Sequence, residues 1–496
     1  MLLEAFANIF TLSTLFFIAL GVFIGYIVGA MPGLGKVIAV AVALPITFYM
    51  DPVTAIAFLM GIAKGSSSGN ATAAILINTP GEPAAVPTAT EGYPMAKRGL
   101  ATKALKVTLY SATFGDFFST LLLIGLTIPL SRLATQIGVV EIAAILAFSL
   151  TFIAALSSES LAKGLISGLL GVLLALVGLE IETGTPRLTF GILRLYSGIP
   201  LIPFAIGLVA VAEMIIQLEE AWHSAKTGEV HTIDEKPEDK GVTAEEFKLI
   251  ARPTLVGTLT GAFIGILPGL GSSLASFASY GFAKRLSKTP EKFGTGHIEG
   301  IAGAESADNA VIPSSLIPLF AFGIPGSAIA AVLSSAFTIH GLIPGPLIFR
   351  DNPDVIFGVY ASMIVAGFFM LIIGYFGIPF FSKVVAVPTK LLFPCVVFFT
   401  VMGAWLDAAY FGVIIMLVFG IVGYFLKRLD FSFVTFFIGF IIGGDFELAL
   451  RQAIIVTRGE SFLDYPVAIL FLVFTALIIL RMMWDNLPSR RNVEIS

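Results

Sequence analysis

Gly29-Ala30-Met31-Pro32-Gly33-Leu34-Gly35 and Gly265-Ile266-Leu267-Pro268-Gly269-Leu270-Gly271 are one interrupted apolar segment written twice, once in each half of the chain. Proline lacks a backbone donor and clashes with the preceding turn, and glycine tolerates left-handed backbone, so each segment ends a helix. Two more stretches repeat in the same order. Ile62–Ala71 (IAKGSSSGNA) aligns with Ile301–Ala310 (IAGAESADNA), and Asn78-Thr79-Pro80-Gly81 aligns with Gly323-Ile324-Pro325-Gly326. Broken backbone survives at membrane depth only where protein or a polar cavity satisfies it. Paired breaks of this kind in the two halves of a membrane chain point to a transporter's binding site.

The composition places the chain in a bilayer. Of 496 residues, 57% are hydrophobic and 12% charged, and the mean hydropathy is +0.95; soluble domains carry about 25% charged residues. The length accommodates on the order of a dozen helices of about 20 residues. One cysteine, Cys395, excludes an internal disulfide framework, and four histidines leave little material for histidine chemistry. Met1-Leu2-Leu3-Glu4 lacks the basic start of a signal peptide, so the first apolar segment is read as retained. The composition gives no sign of a nucleic-acid partner.

Apolar runs near 8–31, 107–130, 133–156, 161–179, 198–218, 253–283, 310–345 and onward to 465–480 read as spanning segments. Shorter runs at 36–50, 53–63 and 71–80 read as half-helices or a re-entrant hairpin. The expected fold is an all-α polytopic membrane protein with inverted repeats, broken helices or re-entrant hairpins, and about 11–13 membrane segments. Residues 1–218 form the first repeat half, 219–252 a polar linker and 253–496 the second half. Basic clusters at Lys97–Lys106, Lys284–Lys292, Lys383/Lys390, Lys427-Arg428 and Arg490-Arg491 belong in the cytoplasm. The loops at Asp51-Pro52 and 350–354 then fall outside. Segment 253–283 enters and leaves from the cytoplasm, while its partner 8–50 does so from outside, which is an inversion.

Free N–H groups at half-helix N-termini suit an anionic substrate. Gly33, Gly35 and Gly269 belong to the first breaks. Asn78, Thr79, Pro80, Gly81, Gly323, Pro325, Gly326 and Ser327 belong to the second, where capping and ligand contact are both open readings. The islands around Ser66 and Asn70, and Ser306 and Asn309, offer small polar groups; helix packing is their alternative role. Glu305, Asp308 and Lys64 are expected to couple an ion, because intramembrane charge is costly and usually functional. Lys64 either pairs with Glu305 or Asp308, meets a substrate carboxylate, or snorkels. Na⁺, if it is the coupling ion, belongs near Asn70 and Asp308; no other metal or cofactor is expected.

Two enzyme patterns are weaker. Gly65-Ser66-Ser67-Ser68-Gly69 matches G-x-S-x-G, with Ser67 as nucleophile, but lacks a strand–turn–helix context. Ile442-Gly443-Gly444-Asp445 approaches an intramembrane aspartyl protease motif, with Asp407 as its required second acid. An intramembrane hydrolase and an ion channel therefore remain as alternatives to a transporter. The absence of a P-loop argues against ATP hydrolysis.

The chain resembles the large membrane subunit of the bacterial tripartite tricarboxylate transporters. The resemblance is densest at Met31–Gly35, Ile75–Pro83 (ILINTPGEP), Glu91–Gly99 (EGYPMAKRG), Pro268–Gly271, Phe293–Asn309 and Gly323–Pro346. It implies a multi-pass protein of the bacterial inner membrane and a secondary importer of citrate or another small organic anion, coupled to Na⁺ or H⁺. It also implies two partners, a periplasmic solute-binding protein and a small four-helix membrane subunit. Ala63-Lys64, Ser68-Gly69-Asn70, Glu91 and Asp308-Asn309 depart from the family's usual residues. Most of these lie at the expected site, so substrate and coupling ion stay open.

Overall fold

A computed structural model describes residues 10–31, 34–134, 138–156, 161–180, 183–223, 241–384, 389–458 and 464–485. These residues are helical apart from loops and one two-residue hairpin, β1 (Gly178–Leu179) with β2 (Pro186–Arg187). The chain is an all-α polytopic membrane protein. Among the described residues seven helices are long and apolar enough to cross a bilayer, and shorter apolar helices accompany them. Contacts divide the chain into two compact units, Met1–Ser131 with Leu201–Tyr424, and Arg132–Pro200 with Phe425–Ser496.

The first unit contains the sequence repeat. Helix α1 (Leu12–Gly29) is capped by Thr11 and stops before the first break. Helix α2 (Lys36–Ala43) follows the break and runs into a 3₁₀ turn, Leu44–Tyr49. Helix α3 (Pro52–Ile77) starts on an Asp51 cap with Pro52 in its first turn, and ends where Asn78 turns left-handed at φ 53° ahead of Pro80. Helix α4 (Val86–Lys97) leads to the long α5 (Ala101–Ala134). In the second half α6 (Ala244–Ile266) opens on a Thr243–Glu246 capping box, and α7 (Gly271–Leu286) follows its break. Helix α8 (Ile298–Ser314) then takes the place of α3, and α9 (Leu316–Phe322) ends at Gly323, φ 76°. Helices α10 (Ala328–Ile339) and α11 (Pro353–Val384) follow.

The two halves pack their first helices in the same way. Gly21, Gly25 and Gly29 of α1 face Gly61, Gly65 and Gly69 of α3. A Cβ at Gly25 would sit 2.4 Å from the Ile62 carbonyl oxygen, and one at Gly65 would sit 2.2 Å from that of Val22. Gly257, Gly261 and Gly265 of α6 repeat the spacing against α8, where a Cβ at Gly261 would meet the Ala307 carbonyl oxygen at 2.2 Å. Such approach leaves room for hydrogen alone, so these backbones touch. Lipid tails are as apolar as leucine, and close packing therefore has to supply the attraction that the hydrophobic effect supplies in water.

Glu91 of α4 ties the halves together. Its buried carboxylate accepts the Tyr280 hydroxyl at 2.7 Å and the N–H groups of Gly294, Gly296 and His297 at 2.6, 2.8 and 2.8 Å. Two of the stretches that carry the family resemblance, 91–99 and 293–309, thus meet in one contact.

One expectation needs correction. Runs 53–63 and 71–80 are not separate half-helices, because α3 passes unbroken through the polar island. The island holds no proline, and its glycines serve the α1 contact. Of the polar linker 219–252, residues 219–223 close the helix Ala212–His223 and 244–252 open α6; residues 224–240 lie outside the described residues.

The second unit holds α12 (Val139–Leu156), α13 (Leu161–Ala175), the β1–β2 hairpin, α14 (Phe433–Val456) and α15 (Pro466–Asp485). Here too glycine brings backbones together: a Cβ at Gly171 would lie 2.1 Å from the Phe436 carbonyl oxygen. Arg187 grips Glu447 with two nitrogens, at 2.6 and 3.1 Å, and Arg451 holds Glu180 at 2.7 Å.

Candidate functional site

The first break delivers a lysine to the protein interior. Gly35 caps α2, and Lys36 is the first residue of that helix. The Lys36 backbone N–H donates to Glu82 Oε1, and a Cβ at Gly35 would collide with the same carboxylate. Lys36 Nζ lies 2.6 Å from Asp308 Oδ1 on α8 and 3.3 Å from Glu82 Oε2. Ser67 Oγ, on α3, donates to Asp308 Oδ2 at 2.7 Å. Lys36 is 3% exposed and Asp308 5%. A buried ion requires a partner and hydrogen bonds to replace its water. Here one ammonium stands between two carboxylates, one fixed on a helix and the other carried on the turn after α3.

Buried polar atoms without protein partners occur on the same stretches of α3 and α8. Asn70, one turn beyond Ser67 on α3 and 2% exposed, has no hydrogen-bond partner for either amide atom. Its Oδ1 faces the turn, only 2.6 Å from where a Cβ on Gly81 would be. Asn309 donates to the Glu305 carbonyl at 3.0 Å, and its Oδ1 is unpartnered. Glu305, one turn from Asp308, accepts the Thr88 hydroxyl on Oε1 and nothing on Oε2. Ser66 Oγ is likewise unpartnered. Leaving a buried polar atom unpaired costs about 1–3 kcal/mol, so a cluster of them requires an explanation.

The second pair of breaks forms its own junction. Gly269 N–H donates to the Gly326 carbonyl at 3.0 Å, Gly326 N–H to the Ser315 carbonyl at 3.2 Å, and Ser327 Oγ to Ser315 Oγ at 3.0 Å. Ser327 also caps α10 through Ala330. Asp308 and Ser315 lie about 10 Å apart along the helix by the α-helical rise. The charged residues therefore gather at the first junction, and Gly269, Gly323, Pro325, Gly326 and Ser327 at the second.

Other expected residues fall elsewhere. Ser306 faces Gly257 in the α6–α8 packing, where a Cβ on that glycine would lie 2.2 Å from its Oγ. Asn78 terminates α3, and Thr79 bonds the Ile77 carbonyl; both are exposed, with Pro80 beside them. Gly33 lies outside the described residues. Lys64 pairs with neither Glu305 nor Asp308. Its Nζ lies 2.8 Å from Asp116 Oδ2 on α5 and donates to the Met363 carbonyl on α11 at 2.6 Å. The reason is geometric: Lys64 lies three residues before Ser67, on the turn of α3 that faces α5 and α11.

The sequence alone does not single out Lys36, Glu82, Thr88 or Asp116, nor Ser67 as a carboxylate partner. The signal available for Lys36 was a charge placed directly after a break inside an apolar run. The cluster offers an ammonium, helix N–H groups, hydroxyls and amides, a set that binds carboxylates and cations. Ser67 sits mid-helix and bonds an aspartate, so the strand-to-helix turn of a serine hydrolase is absent there. Among the described residues no group of three or more His, Cys, Asp or Glu could hold a metal ion.

The sequence pattern of the tripartite tricarboxylate transporter TctA family matches residues 15–438. A relative in Agrobacterium vitis, an uncharacterized 52.8 kDa protein of the TAR-I ttuC′ 3′ region, is 37% identical over 459 residues, covering 90% of this chain and 89% of its own. A second, from the TAR-II ttuC′ 3′ region of the same organism, is 36% identical over 235 residues, which cover 47% of this chain and 97% of its own. No solved structure matches the chain. The chain belongs to the tripartite tricarboxylate transporter TctA family.

Proposed function

We propose that the chain is the permease subunit of a tripartite secondary importer for a small organic anion, a di- or tricarboxylate. The observation that carries this reading is Lys36: a buried lysine at the N-terminus of a helix that starts at a backbone break, shared by two carboxylates and flanked by unpartnered amides. A helix N-terminus and an ammonium together favour a carboxylate. Asp308 and Glu305, on one face of α8, supply the acidic groups that a coupling Na⁺ or H⁺ requires. The substrate-binding set is Gly35, Ser66, Asn70 and Gly81 at the first junction with Asn309 above it, and the ion-coupling set is Asp308 and Glu305. The Lys64–Asp116 pair holds helices together. The second junction, around Gly269 and Gly326, is the counterpart that opens toward the other side.

The partners in this reading are a periplasmic solute-binding protein and a small four-helix membrane subunit, and the membrane is the bacterial inner membrane. Uptake of citrate, succinate and other carboxylates into proteoliposomes, with and without Na⁺ and with and without those partners, tests it. Accumulation that needs both partners and a cation gradient is the expected result. Passive conductance by the isolated chain would favour a channel. The inverted orientation has a separate check in cells with Cys395 replaced by Ala. Cysteines placed at 97–106 should be shielded from an impermeant thiol reagent added outside, and cysteines at 351–354 labelled.

A further inference from the structure

We propose that Glu82 is a tethered stand-in for the cargo: its carboxylate occupies the place at Lys36 and the N-terminus of α2 that a carboxylate of the transported anion takes after displacing it. The contacts of Glu82 are those an external carboxylate would make. One oxygen receives the first N–H of α2 and the other lies 3.3 Å from Lys36 Nζ. Gly35 admits the group, because any side chain there would collide with it. The charge count favours exchange over addition. With Glu82 in place, Lys36 is shared by two carboxylates, and a further anion meets net negative charge. With Glu82 withdrawn, Lys36 keeps a single carboxylate, Asp308, and the first N–H of α2 lacks an acceptor, so an incoming carboxylate restores the contacts that Glu82 gave up.

The carrier of Glu82 suits that movement. It is the short turn between Asn78, left-handed at φ 53°, and the 3₁₀ turn at Pro83–Ala85. Asn78 and Thr79 are exposed, and the Glu82 side chain is 15% exposed, so protein does not enclose the turn on that side. Asn70 is the second, independent observation. Neither atom of its buried amide has a partner; Oδ1 faces Gly81 beside Glu82, and Nδ2 is left to donate to an oxygen of an incoming anion. A tethered competitor also gives order to the cycle. An empty site is closed by Glu82, and a bound anion frees the turn to rearrange.

This inference rests on the transporter reading, and the two can fail separately. The full chain in lipid nanodiscs is titrated with sodium acetate as probe, against sodium chloride at equal concentration, and its thermal midpoint is followed. Acetate should stabilise Glu82→Ala saturably, with apparent affinity at least about tenfold tighter than for the wild type, where the site is occupied from within. Adding Lys36→Gln to Glu82→Ala should abolish the response. Glu82→Gln, which keeps the shape and removes the charge, should give an intermediate response and replaces the alanine variant if that fails to fold. Equal responses of wild type and Glu82 variants, no acetate response in any, or a response that survives Lys36→Gln would each overturn the inference. If that happens while the wild type still takes up carboxylates, the transporter reading stands alone. If acetate stabilises Glu82→Ala but no carboxylate is taken up, the carboxylate place stands and the transporter reading falls.

Discussion

Lys36 and Lys64 are both buried lysines of the first unit, each bonded to an aspartate, at 2.6 and 2.8 Å. Their surroundings differ. Lys64 sits mid-way along a continuous helix, and its two bonds, to Asp116 and the Met363 carbonyl, tie α3 to α5 and α11. The side chains of Lys64 and Asp116 are almost wholly inaccessible, at 0% and 1%. Lys36 sits at a helix start and divides itself between a fixed and a swinging carboxylate. A charge pair inside continuous helices has no competing partner and acts as a staple. A charge pair at a break has a helix N-terminal N–H and a second carboxylate beside it, and in the proposal made above its partners exchange. Location relative to broken backbone, more than burial, separates the two roles.

The largest test of that difference is Lys64→Met. Removing one member of a buried pair leaves the other uncompensated and costs about 3–5 kcal/mol. Folded yield and resistance to chemical unfolding should drop sharply, and adding Asp116→Leu should restore much of the loss. A well-folded Lys64→Met protein without uptake would instead place Lys64 in the coupling machinery and erase the contrast.

Lys36→Gln should act the other way round. Uptake should fall more than about a hundredfold, equivalent to roughly 2.7 kcal/mol. Folded yield should suffer less than in Lys64→Met, because Glu82 can turn to water and Ser67 still bonds Asp308. Parallel losses of yield and uptake in both lysine variants would merge the two sites into one structural class.

Asp308→Asn sharpens the account of coupling. Carboxylate affinity should change by less than about tenfold while the dependence of uptake on Na⁺ or pH flattens; an unchanged cation dependence would move coupling to Glu305 alone. The smallest effect on stability belongs to Asn70→Ala. Its amide has no bond to lose, so melting should stay near that of the wild type. Uptake should fall about tenfold, the value of one hydrogen bond to a charged ligand at about 1.5 kcal/mol. A destabilised Asn70→Ala with normal uptake per folded molecule would return this residue to helix packing.

The breaks could be read from the sequence because proline and glycine act locally: Pro268-Gly269 and Pro80-Gly81 end helices wherever they stand. The acids of α8 were legible for a similar reason, as charges within an apolar run. Lys36 and Glu82 were not, since a lysine beside glycines and a glutamate between prolines each read as loop charges. Only the fold brings them together across 46 positions. The same holds for Lys64 and Asp116, 52 positions apart. The glycines at every fourth position of α1 and α6 were visible, but their meaning depends on which helix lies opposite. The polar island misled in one respect: serine and glycine weaken a helix, yet α3 runs through them because α1 packs against that face.

The most direct test of the central claim is uptake by proteoliposomes containing wild type or Lys36→Gln at equal folded protein, each with its solute-binding protein and small subunit. A panel of radiolabelled di- and tricarboxylates is offered under imposed Na⁺ and proton gradients. The account predicts that the wild type accumulates at least one of these anions and that Lys36→Gln accumulates none. Equal accumulation by the two proteins would contradict it.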